Sequence, residues 1–274
     1  MAETEPGTPP RRARIGNTGE EGRRQPATRL GHHPRGEELP VNHLQSPGVE
    51  LVFDRRFRGP LTSANGGYAC GRLAAFVDSE VVEVTLRRPP PLERLLRVRS
   101  DGTSAQLLDG DELVAEARPG TLDLEPPSPV SVAEAEDAAT RHVRAGSPIF
   151  RECFVCGIRE EADGLGIHAG PVSGREPLHA APWTVAEPAP EVVWAAIDCP
   201  GAYAVGATGR GEIVLGRMTA RVDRVPELGE RCAVASWPVG EDGRKLYAGT
   251  ALLAENGELL ALAHQTWIEP RPAR

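Results

Sequence analysis

The feature that most constrains this chain is that its second half repeats the plan of its first. "DGDELVAEAR" (Asp109–Arg118) is matched by "NGELLALAH" (Asn256–His264), each an Asp-Gly or Asn-Gly turn followed by an apolar run. "RRPPPLERLLRV" (Arg87–Val98) is matched by "DRVPELGERCAV" (Asp223–Val234). Similarity in fixed order across half a chain argues for internal duplication. Each half opens on a helical candidate, "SANGGYACGRLAAFV" (Ser63–Val77) and "PEVVWAAIDCPGAYAV" (Pro190–Val205), and continues as strand-like runs split by turns. One helix followed by consecutive antiparallel strands is an α+β plan, because the helix must bury its apolar stripe against one sheet face.

The boundaries follow from composition. Residues 1–46 carry Pro, Gly and charge with almost no large apolar side chains, so they are expected to be a disordered tail; His32 and His33 fall within it. Residues 47–118 form the first unit, 119–146 a Pro-rich acidic linker with a short helix, and 147–270 the second unit. Net charge is −8 and Lys245 is the only lysine, so no basic field favours nucleic acid or an anionic membrane. No apolar run approaches the roughly 20 residues of a membrane span. Five cysteines in a long chain do not suggest a disulfide framework, and a cytoplasmic setting is the expectation.

A long helix wrapped by a curved antiparallel sheet is the hotdog fold, and here the motifs become specific. "FRGPLTSANGGYACGRLAAFV" resembles the start of the first hotdog in double-hotdog, TesB-like acyl-CoA thioesterases. "CFVCG" with "GLGI" resembles a lead-in segment of PaaI-like hotdog thioesterases. "AAIDCPGAYA", "GRMTARVDR" and "ALAHQTWI" fall in the order of the second TesB-like hotdog. The resemblance covers about residues 48–118 and 147–269. It implies a tandem hotdog that hydrolyses an acyl-CoA or related acyl thioester, needs no cofactor beyond the CoA carried by the substrate, and leaves room for a homodimer.

Thioester hydrolysis needs a carboxylate to activate water and donors to polarise the carbonyl. Asp198 lies in an otherwise apolar stretch, where a carboxylate is costly to bury. Pro200 interrupts the helix beside it, so Asp198 reads locally as either a helix cap or a catalytic group. The resemblance implies the second, because the family's aspartate falls on this helix. It also implies a Thr and a Gln that hold the water, best matched by Thr219 and Gln265, with Thr250 and Thr266 as competitors. Asn65, Gly66, Gly67 and Tyr68 form the substrate-binding candidate: the Gly67 and Tyr68 amides at a helix start can meet an oxyanion. Many hotdog enzymes carry His where this chain has Asn65, which removes a titrating group. A non-catalytic acyl-ligand binder is therefore the alternative, and a hydroxyacyl dehydratase a weaker third.

Cys153 and Cys156 look like half a zinc site. A structural site needs four ligands, however, and Cys70, Cys199 and Cys232 are isolated in sequence. No metal is expected, and the pair is read as a buried lead-in to a Gly-Leu strand that opens the second unit.

Overall fold

The computed structural model describes residues 49–144, 146–160 and 163–270. The tail expectation for residues 1–46 lies outside them. The first half comprises β1 (Val49–Leu51), α1 (Gly66–Ala74), β2 (Val81–Leu86), β3 (Leu96–Ser100), β4 (Ala105–Asp109) and β5 (Glu112–Pro119). A connecting helix, α2 (Val132–Ala139), follows. The second half comprises β6 (Gly170–Pro171), β7 (His179–Thr184), α3 (Pro190–Ala196), α4 (Cys199–Ala204), α5 (Ala207–Arg210), β8 (Val214–Val222), β9 (Arg231–Asp242), β10 (Lys245–Ala254) and β11 (Leu259–Ile268).

All eleven strands join one antiparallel sheet, in the order β1-β3-β4-β5-β2-β8-β11-β10-β9-β7-β6. Read outward from its centre, each half has the same strand order. β2, β5, β4, β3 and β1 on one side correspond to β8, β11, β10, β9 and β7 on the other. The halves meet where β2 pairs with β8, Val82 opposite Ala220 and Val84 opposite Met218. The duplication in the sequence is thus a repeated topology, and the α+β tandem architecture is the one expected.

Local chemistry explains the helices. Asn65 caps α1 by accepting the Tyr68 amide on its side-chain oxygen, 2.9 Å away. Gly67 and Gly71 stand one turn apart where α1 crosses α3. A Cβ on Gly71 would lie 2.7 Å from Glu191 Cα and 2.8 Å from Trp194 Cβ, so the helices pack backbone to backbone there. The expected second helix is two helices, α3 and α4, because Pro200 offers no amide to continue the first. The buried Ile197 carbonyl, freed from the helix at the break, is taken up from the sheet. It accepts the Thr250 hydroxyl at 2.8 Å and the Gln265 side-chain amide at 2.5 Å.

The two outer faces differ. α2, capped by a reciprocal Ser131–Glu134 pair, lays Val132, Ala135 and Ala138 on Ala180, Ala233, Ala235 and Leu253 of the second half. Among the described residues no helix covers the first half in this way, and its strands present Glu83, Arg99, Gln106, Glu116 and Arg118 around an open polar depression. One expectation is corrected. The Gly-Leu segment is not a strand: Leu165 and Ile167 donate their amides back to the Phe154 and Val155 carbonyls, making a local loop. The second half's first strand is instead the short β6, which pairs with β7 at the edge of the sheet.

Candidate active site

The two halves converge on Asp198. It occupies the N-cap position of α4, yet its side chain makes no capping bond. The carboxylate turns instead toward α1. Its Oδ2 accepts the Asn65 side-chain amide at 2.8 Å and the Gly67 backbone amide at 2.9 Å. The capping alternative therefore does not describe this residue. Its Oδ1 is buried and has no hydrogen-bond partner among the described residues. Asp198 is only 2 % exposed. Burial pushes its carboxyl up to about 7, against the Gly67 and Asn65 donors that favour the anion.

Asp198 and Asn65 border a cavity of about 450 Å³. Its walls are mostly apolar, with Pro60, Phe150, Ile213, Leu215, Trp267 and Ile268 among them. Arg87 and Arg88 also line it; both are half-exposed and ion-paired with Glu116 and Glu112. An apolar cleft with a few convergent polar groups is the usual form of a small-molecule site.

The other predicted residues divide. Gly66 borders the cavity, with Leu215 packed against it. The Gly67 amide is engaged by Asp198 and the Tyr68 amide by Asn65, so neither is available to an oxyanion. The Tyr68 ring is buried and stacked on Phe57, with ring centres 3.9 Å apart, away from the cavity lining. Gln265 is fully buried and reaches the backbone at the helix break rather than the carboxylate. Its amide nitrogen donates to Ile197 and Asp198 carbonyls, and its oxygen accepts the Trp267 indole at 2.8 Å. Thr219 is not brought to Asp198. It pairs with His264 and Glu83 on neighbouring strands, and its methyl lies against Gly120 on the outer face. A strand residue one position off register points to the opposite face, which is why sequence matching cannot place it. Thr250 holds the Ile197 carbonyl beside Gln265 instead.

This placement gives a paired expectation. Gln265→Leu removes donors from the helix break and strands the Trp267 indole, so it should lower unfolding free energy by about 2 kcal/mol. Thr219→Val, buried but bonded to no group at the helix break, should cost less, about 1 kcal/mol. Urea denaturation of both variants checks the contrast, and equal losses would refute the assigned faces.

Sequence reasoning missed a further group. Cys153, Cys156 and Cys199 all line the same cavity, and their sulfurs lie within 4.8 Å of one another. Cys153 Sγ is 3.6 Å from Cys199 Sγ. Thiol donation from both neighbours pulls the Cys153 thiol well below its ordinary value. No local spacing could reveal the third member, because Cys199 is 46 residues from Cys153.

No family model and no curated protein matches the sequence. Solved structures do match. A protein from Novosphingobium aromaticivorans DSM 12444 described as a putative thioesterase aligns with a TM-score of 0.58 at 13 % identity, over 85 % of this chain and 100 % of that one. A protein from Thermobifida fusca YX described as a putative thioesterase II aligns at 0.57 and 14 % identity, over 83 % and 94 %. A hotdog-fold protein of unknown function from Alicyclobacillus acidocaldarius aligns at 0.56 and 13 %, over 82 % and 93 %. Likeness at such low identity speaks to architecture, and it agrees with the mirrored strand order: the chain is a double hotdog.

Proposed function

We propose that the protein is a thioesterase-like hydrolase acting on an acyl-CoA or related acyl thioester. The observation that carries this reading is the buried Asp198 carboxylate at the wall of an apolar cavity, with one oxygen fixed by two donors and the other without a partner among the described residues. In the reaction, the carboxylate takes a proton from water as the water oxygen attacks the thioester carbonyl carbon. The carbon–sulfur bond breaks, and the departing thiolate recovers the proton. Asn65 and the Gly67 amide orient the carboxylate, while Gln265 and Thr250 are positioning residues that hold the helix break carrying it. Gly66 supplies the first-turn amide that borders the cavity. Arg87 and Arg88 suit a phosphate-bearing carrier at the cavity rim, since their exposed ion pairs cost little to exchange.

One observation favours a second reading. The Gly67 and Tyr68 amides, which would polarise a carbonyl, are already engaged, as a non-catalytic acyl-ligand binder would permit. Thiol release across a short-to-long acyl-CoA series separates the two. Turnover with at least one chain length is the expected result; saturable binding without turnover would select the binder.

A further inference from the structure

The geometry points to a zinc site formed by Cys153, Cys156 and Cys199, with its fourth coordination position open to the cavity. The inference goes beyond the hydrolase reading and does not depend on it. Two thiolates on one tetrahedral zinc, each at about 2.3 Å, stand about 3.8 Å apart. The Cys153 and Cys199 sulfurs are already 3.6 Å apart, and Cys156 completes a set whose sulfurs all lie within 4.8 Å.

The turn carrying the first two ligands has the build of a chelating loop. The Gly157 amide donates to the Cys153 carbonyl at 2.8 Å, closing the Cys-x-x-Cys-Gly turn. A Cβ at residue 157 would sit 2.4 Å from the Cys153 nitrogen, so the turn closes this tightly only with glycine there. The third ligand comes from the helix break: Cys199 is the first residue of α4, directly before Pro200.

The surroundings fit a metal centre. The Asn65 side-chain nitrogen lies 4.0 Å from the Cys153 sulfur and 3.9 Å from that of Cys199, facing both. Tyr203 lines the same cavity beside the three cysteines. Three soft sulfur donors select zinc over magnesium or calcium. Three protein ligands with an open fourth position match a reactive zinc site rather than a closed structural one. All three cysteines line the cavity, so water or a sulfur-bearing ligand can take that position. Each thiol gives up its proton to solvent as it binds the ion. The expectation of no metal rested on the isolation of Cys199 in sequence, which the fold removes.

The test uses the full chain purified under reducing conditions without chelator. Elemental analysis should find about one zinc per chain. After zinc removal, titration with Co²⁺ should produce a sulfur-to-cobalt charge-transfer band. Cys153→Ser and Cys156→Ser should lose most of the metal, whereas Cys232→Ala, on β9, should retain it. If the serine variants do not fold, the cobalt titration of the parent decides alone. The inference is overturned if the parent, with all five thiols reduced, takes up neither zinc nor cobalt. It is equally overturned if Cys153 and Cys199 are recovered as a disulfide after thiols are blocked at lysis. Metal content is read without substrate, so either outcome leaves the hydrolase reading to its own assay.

Discussion

Asp198→Asn is expected to lower thioester turnover by a factor of about 10²–10⁴ while leaving the protein folded. The two effects separate because of how the side chain is held. Asparagine keeps the volume and an oxygen that can accept from Asn65 and Gly67, so the hydrogen bonds fixing Oδ2 have a replacement. What is lost is the ability to take a proton from water. What is also lost is a buried carboxylate with an unpartnered oxygen, which burdens the folded state. The variant should therefore melt at or above the parent temperature, the usual trade between a strained site and stability. A purely structural aspartate predicts the reverse pattern, with stability falling and turnover tracking the folded fraction. Thiol-release kinetics and thermal melts on the same preparations distinguish them, and unchanged kcat/KM would end the assignment.

How much of this could be read from the sequence depends on the range of the signal. The duplication, the α1 cap at Asn65 and the break beside Pro200 are local patterns, and each is where the pattern puts it. Gln265 and Asp198 do approach one another, although through the backbone rather than through the carboxylate. Thr219 shows the limit: a register irregularity at Gly216, where β8 pairs with β11, shifts the alternation along β8, and which face a residue takes depends on the partner strands. The cysteine group shows another limit, since it joins a turn to a helix start that only the packing of the second half brings together. The amide donors fail for a third reason. A helix N-terminus is legible in sequence, but which buried acceptor claims its amides is a tertiary fact.

Gly67→Ala is expected to be the most damaging conservative change at the helix crossing. Its Cβ would lie 2.5 Å from Asp198 Cβ and 2.5 Å from the Trp194 carbonyl oxygen. One obstacle is backbone and the other is the root of a buried side chain, so no rotamer change relieves the contact. Helix α1 must move off α3, and overpacking of this kind costs about 1–3 kcal/mol. The same movement breaks the Gly67 amide bond to Asp198, a charge-assisted contact worth about 1.5–3 kcal/mol. The two losses overlap and do not simply add. Gly66→Ala is the control. Its Cβ would meet Leu215 at 3.0 Å and Leu86 at 3.3 Å, and both contacts are with side chains that can shift. Urea midpoints should fall further for Gly67→Ala than for Gly66→Ala, and residual turnover should fall with the carboxylate's lost support. Equal midpoints would show that the helices can part without cost, and that the sheet junction between β2 and β8 alone holds the halves in register. If the predicted difference is found, one glycine both permits the crossing and donates to the carboxylate. The fit of the two halves and the orientation of Asp198 then rest on the same residue.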